Sequence, residues 1–152
     1  MKPNKQFVTF NLDSLFLGVD VLKVQEVIRY QQMTRVPTAP TMVEGLINLR
    51  GQIITAIDLR RRLKLADRPA DHLPMNVVVR TDDGALSLLV DEIGDVVEID
   101  DRSFERVPET VTGLVRDLIS GVYKLDGRLL LILDTEKAAC LPPTFAHAAS
   151  KA

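Results

Sequence analysis

The stretch GLINLRGQIITAID, Gly45–Asp58, decides the fold. Two apolar runs rich in isoleucine flank Arg50-Gly51, which predicts a strand, a tight turn and a second strand. Asn-Gly or Asp-Gly is the usual chemistry of a two-residue hairpin turn, because both central residues take φ > 0. Arginine is unexpected there. In a type I′ turn Arg50 adopts the left-handed conformation, at roughly 1–2 kcal/mol more than glycine. In a type I turn with a G1 bulge only Gly51 does, and Arg50 costs little. The sequence leaves both turns open.

A second stretch, GVYKLDGRLLLILD (Gly121–Asp134), has the same frame without a gap. Gly45/Gly121, Leu49/Leu125, Gly51/Gly127 and Asp58/Asp134 coincide, and the second turn is the expected Asp126-Gly127. Each stretch runs into a polar, helical-looking segment, DLRRRLKLA (58–66) and DTEKAACL (134–141). Upstream, Val19-Asp20 echoes Val90-Asp91. The chain therefore reads as a pseudo-repeat of two small β-barrels, each too small for a good core alone, packed through a shared apolar seam.

The remaining strands follow from alternation and β-branched content: FVTFNL (7–12), LFLGVD (15–20), VQEVIRY (24–30), MNVVVRT (75–81), ALSLLVD (85–91), GDVVEI (94–99) and LISGVYKL (118–125). APTMVEG (39–45) allows one helical turn, with Thr41 as N-cap and Glu44 at the capping-box position. The expected fold class is mainly β, two pseudo-repeated five-stranded barrels with short helices. Lobe 1 covers about 7–65 and lobe 2 about 74–140, with terminal strands free to exchange between them. ADRPADHLP (66–74) is the expected connection, and 142–152 the expected disordered tail.

Composition sets the limits. A chain of 152 residues suits one domain and buries roughly 70% of its unfolded surface, enough for a core without staples. The net charge of −2 gives no reason to expect nucleic acid or anionic lipid as a partner. Cys140 is the single cysteine, which excludes an internal disulfide and argues against a thiolate metal site. With no apolar run long enough for a signal peptide or a membrane span, the expectation is a cytoplasmic protein.

Catalytic signatures are missing. The two histidines, His72 and His147, fall in the connection and the tail, so no histidine triad or metal cluster is expected. There is neither a Walker A loop nor a G-x-G-x-x-G, and no cofactor is expected. Asp20, Asp58, Asp91 and Asp134 recur at equivalent places and are read as caps or turn residues at strand ends. A paired-acid enzyme would need two of them in one cleft. RRRLK (60–64) is read as a helix with Arg60, Arg61 and Lys64 in solvent and Leu59 and Leu63 inside. A nucleic-acid patch is the alternative, weakened by a sequence pI of about 5.7 and by only five phenylalanines and two tyrosines for stacking.

LGVDVLKVQEVIRY (17–30), RVPTAPTMVEGLINLRGQIITAIDLRRRL (35–63), LLVDEIGDVVEI (88–99) and ISGVYKLDGRLLLILDTEK (119–137), in that order, resemble the CheW family of chemotaxis coupling proteins over about residues 7–139. The resemblance implies two SH3-like barrels and no catalysis. It implies a scaffold linking the cytoplasmic tips of methyl-accepting chemoreceptors to the regulatory domain of the histidine kinase CheA, with the membrane approached only through the receptors. An adaptor of a non-flagellar chemosensory pathway fits the same residues. Carried over by position, the receptor groove includes Val24, Glu26, Gly45, Ile47, Asn48 and Arg50. The kinase-facing residues are Arg29, Tyr30 and Ile53 on the first lobe and Phe104 and Arg106 on the second. Relatives carry a basic residue and then an aromatic in the loop 100–114. Here Glu105 and Thr110 fall there, which leaves ring assembly open.

Overall fold

Strand hairpins with two-residue turns build most of the molecule. The computed structural model describes residues 5–100, 104–125 and 127–140. Lys5–Leu12 (β1) turns back through Asp13-Ser14 into Leu15–Asp20 (β2). A short 3-10 turn, Val21–Lys23, is capped by Asp20, whose Oδ1 accepts the Leu22 N–H at 2.9 Å. It leads into Val24–Ile28 (β3). Val43–Leu49 (β4) and Gln52–Asp58 (β5) form the opening hairpin, followed by Leu59–Arg62 (α1). Met75–Thr81 (β6), Gly84–Val90 (β7), Glu92–Ile99 (β8) and the two-residue Phe104–Glu105 (β9) follow. Gly113–Leu118 (α2), Ile119–Leu125 (β10), Arg128–Leu133 (β11) and Thr135–Ala138 (α3) complete the described residues. The expected tail 142–152 lies outside them.

The strands form two sheets, one of order β8-β1-β2-β11-β10-β9 and one of order β3-β6-β7-β5-β4. This is the mainly-β, two-barrel architecture. The sheets do not divide the chain at 66–74, however. β6 and β7 join the strands of the expected first lobe, while β1 and β2 join the C-terminal strands. Parallel pairing is the reason: β5 lies beside β7 and β2 beside β11, so each barrel takes a hairpin from the other side of the chain. Each sheet has its own apolar cluster, around Phe7, Tyr123, Leu130 and Ile132 in one and Ile47, Ile54, Val78 and Leu89 in the other. The largest cluster draws on both sheets, with Phe10, Leu17, Leu131 and Leu133 meeting Ile57, Val77, Val79 and Leu88. Consecutive residues therefore serve different cores. Leu130 and Ile132 face inward while Leu131 and Leu133 face the other barrel, so strands such as RLLLIL read as unbroken apolar runs.

The pseudo-repeat holds in detail. β4 bulges at Glu44 and β10 at Ser120, the residue before the matched glycine in each case. The Asp58 N–H donates to the Met42 carbonyl at 2.7 Å, and the Asp134 N–H to the Leu118 carbonyl at 2.8 Å. Asp58 and Asp134 then cap α1 and α3 through their side chains. The upstream echo is slipped by two residues. The hairpin turns place Leu15 where Gly84 stands, so Val19 corresponds to Leu88 and not to Val90.

Other expectations fail locally. Residues 40–43 form a turn, closed by the Val43 N–H donating to the Pro40 carbonyl at 2.9 Å, and Glu44 is already in β4. No helix starts there because the chain is committed to pairing with β5. α1 and α3 are single turns, shorter than their polar segments suggested. α2 spans the end of the expected loop 100–114 and the first residue of the expected strand 118–125.

Candidate functional site

The first hairpin resolves the turn question. Leu49 pairs with Gln52, and Arg50 and Gly51 have φ of 52° and 87°, a type I′ turn. Arg50 is thus in the left-handed region, at roughly 1–2 kcal/mol of strain. The Asn48 side-chain oxygen accepts the Gly51 N–H at 2.9 Å and holds the turn. The Arg50 guanidinium reaches both carboxylate oxygens of Glu26 on β3. This pair joins β3 to the tip of the β4–β5 hairpin, the two ends of the five-stranded sheet. The Arg50 side chain is 72% exposed and that of Glu26 21%. An exposed pair of this kind stabilises by about 0–1 kcal/mol, which does not offset the strain. The arginine is therefore not explained by stability. In the second hairpin Gly127 has φ of 80° and Leu125 pairs with Arg128, while Asp126 lies outside the described residues.

The other residues assigned to the receptor groove separate. Val24 pairs with Val79 and packs on the shared core, whereas Glu26 pairs with Val78, which faces the barrel interior. A bulge at Gln25 puts them on opposite faces, although their i, i+2 spacing suggests one face. Ile47 is 1% exposed and belongs to the barrel core, so it cannot touch a partner. Gly45 is buried as well. A Cβ there would lie 2.7 Å from the Thr34 carbonyl oxygen, so its role is to let Thr34 bridge to Leu46. Glu26, Asn48 and Arg50 remain as a surface group, while Val24, half-buried, packs on the shared core from the other face of β3.

The residues expected to face the kinase lie on both sheets. Arg29 and Tyr30 are exposed just beyond β3, and Ile53 on β5 is 61% exposed directly across from Asn48. Phe104 lies in the edge strand β9 of the other sheet, and Arg106 is exposed just beyond it. Phe104 is 47% exposed and half committed to the fold. Its ring meets Tyr123 edge-on at 5.2 Å and covers Gly121, where a Cβ would be 2.0 Å from the ring tip. Glu105 pairs with Val122 on β10 and is exposed, as is Thr110.

The basic run is not a solvated face. Arg60 is buried, and its guanidinium forks onto Asp91, with Nε 2.9 Å from Oδ1 and Nη2 2.6 Å from Oδ2. Arg68 adds Nε to Oδ1 at 2.8 Å and lies 3.6 Å from Asp58. The Asp13 N–H, in the β1–β2 turn, donates to Asp91 Oδ2 at 2.7 Å. Asp91 thus ties one barrel's turn to the other barrel's helix and to the 66–74 connection, which is anchored, not free. Burial raises the Asp91 pKa, but hydrogen bonds from Arg60, the Asp13 backbone and Arg68 outweigh it, leaving the group at about 2. Arg62 donates to the carbonyls of Ala138, Lys137 and Cys140, capping α3. Arg61 pairs with Glu44 and Asp67. With Arg60, Arg61 and Arg62 so engaged, the nucleic-acid reading loses its patch.

The sequence reading of Asp20, Asp58 and Asp134 as caps matches the structure, whereas Asp91 is the centre of a buried ion cluster. Its partners Arg60 and Arg68 gave no periodic signal, since they come from a one-turn helix and a loop. Among the described residues no group of three or more His, Cys, Asp or Glu is placed to hold a metal, and no helix is long and apolar enough to cross a membrane.

Comparison with known proteins agrees with this architecture. The model of the CheW-like domain family matches residues 6–139. The chemotaxis protein CheW of Treponema pallidum (strain Nichols) is 31% identical over 136 residues, covering 87% of this chain and 80% of that protein. CheW of Thermotoga maritima is 32% identical over 134 residues, covering 87% and 85%. The crystal structure of the scaffolding protein TtCheW from Thermoanaerobacter tengcongensis superposes with a TM-score of 0.80 at 30% identity, over 90% of this chain and 92% of that one.

Proposed function

The chain belongs to the CheW-like domain family, and from that premise we propose that it is a chemotaxis adaptor, a scaffold without catalytic activity that works in the cytoplasm. Its partners on this reading are the cytoplasmic tip of methyl-accepting chemoreceptors and the regulatory domain of a CheA-like histidine kinase. The observation that carries the proposal is the Arg50–Glu26 pair. It holds an exposed guanidinium, carried on a strained backbone, at the tip of the β4–β5 hairpin, where stability alone does not favour it.

A receptor tip is a helical hairpin, and such an element suits a surface with an apolar edge and a few charges that set register. Glu26, Asn48 and Arg50 supply the charged and polar part, and Val24 contributes only from the opposite face of β3. Gly45 and Ile47 support the hairpin from within. Arg29, Tyr30 and Ile53 form one kinase-facing surface, and Phe104 with Arg106 a second on the other barrel. The whole folded segment acts as one unit, because the two barrels share their largest core.

Co-purification with a receptor signalling fragment and with the kinase regulatory domain tests the proposal. Retention of both by the full chain is expected. Failure to retain either one removes the adaptor reading.

A further inference from the structure

A cleft of about 920 Å³ lies between the segment 35–44 and the end of α1 with its following residues, and it shares no residue with the surfaces above. Its apolar side is Val36, Pro37, Pro40 and Leu65. Three cations line it, Arg35, Arg61 and Lys64, together with the carboxylates of Glu44 and Asp67. Arg61 engages both carboxylates at 3.2 Å. Arg35 and Lys64 are exposed and have no ion-pair partner among the described residues.

Lys64 carries a further mark. The Leu65 N–H donates to the Arg60 carbonyl at 2.7 Å and the Lys64 N–H to the Arg61 carbonyl at 3.1 Å, a Schellman end to the helix. Lys64 has φ of 58°, in the position where glycine is the favoured residue. A strained backbone thus holds an unpaired cation over the cleft. The opposite wall is preformed. Thr34 and Leu46 exchange backbone hydrogen bonds of 2.9 and 2.8 Å, and Ala39 N–H donates to the Val36 carbonyl at 3.0 Å.

We propose that this cleft is a docking site for an acidic, extended segment of a partner protein. One apolar side chain seats against Val36, Pro40 and Leu65, and flanking carboxylates meet Arg35 and Lys64. Charge complementarity selects this occupant, since the cleft's own carboxylates are already satisfied and its free groups are cations. Nucleic acid fits poorly, because no aromatic side chain lines the cleft for stacking. The inference does not rest on the adaptor reading.

The test uses the full chain, isotope-labelled, titrated with a short blocked peptide that has a central leucine flanked by glutamates. Amide shifts confined to 35–43 and 61–67 are expected, and the affinity should fall with added salt. The double variant Arg35→Ser/Lys64→Gly should bind roughly two- to thirtyfold more weakly, the loss expected for two exposed ion pairs. Lys64→Gly relieves the left-handed strain, so an unchanged or raised melting temperature separates lost binding from lost folding. Equal binding of a lysine-flanked peptide or of oligothymidine, shifts elsewhere on the surface, or undiminished binding by the double variant would each overturn the proposal.

Discussion

Replacing Asp91 with asparagine tests the ion cluster that ties the two barrels together. Asp91 is the shared acceptor of Arg60, Arg68 and the Asp13 N–H, and the side chains of both arginines are about as buried as its own. Breaking a buried pair by removing one partner costs about 3–5 kcal/mol. Asparagine keeps an oxygen for the Asp13 N–H, and Asp58 remains as a counter-charge, so Asp91→Asn should cost about 3 kcal/mol at neutral pH. The pH dependence is the sharper test. The folded carboxyl sits at about 2 instead of its ordinary 3.8. The unfolded chain therefore binds the proton more readily, and the stabilisation is present above about pH 4 and fades as pH falls toward 2. A shift of nearly two units at about 1.4 kcal/mol each makes this about 2 kcal/mol. Urea unfolding of wild type and variant across this range measures it. The gap between them should be widest above pH 4 and narrow by about 2 kcal/mol near pH 2. A gap below about 1 kcal/mol at neutral pH, or one that stays constant across the range, would refute the cluster's role.

Arg50→Gly should raise stability by up to about 1 kcal/mol, since relief of left-handed strain exceeds the loss of an exposed pair, while receptor-fragment binding falls. Thermal melting paired with a binding titration checks both, and unchanged binding would remove Arg50 from the contact surface. Ile47→Ala should cost about 2–5 kcal/mol as a core cavity, with any loss of partner binding recovered at lower temperature where the variant is folded. Gly121→Ala should displace the Phe104 ring and destabilise by about 1–3 kcal/mol, and it should weaken binding of the kinase regulatory domain. A crystal structure of that variant with Phe104 in place would contradict the account.

Local signals were readable where they depend on neighbours in the chain. Strand edges such as Gln52–Asp58 and Met75–Thr81 fall where alternation and turn residues put them. The repeat of Gly45–Asp58 in Gly121–Asp134 was legible because matched backbone hydrogen bonds require matched spacing. The bulge at Gln25 was not, because it has no compositional mark, and it moves Val24 and Glu26 to different faces. Nor was the burial of Gly45 and Ile47, since the outward face of a short strand depends on what crosses it, here Thr34.

The sequence by itself determined the strands, the two-fold repeat, the helix-capping aspartates and the family resemblance, all of which are written in spacing along the chain. The tertiary structure alone decided which strands make each barrel, because parallel pairing brings together segments far apart in sequence. It alone turned RRRLK from a solvated face into an internal clasp, because Arg60 meets a carboxylate carried by the bend between β7 and β8. It also chose between the two turns at Arg50, showing a guanidinium held under strain against Glu26, which turn propensity by itself does not specify.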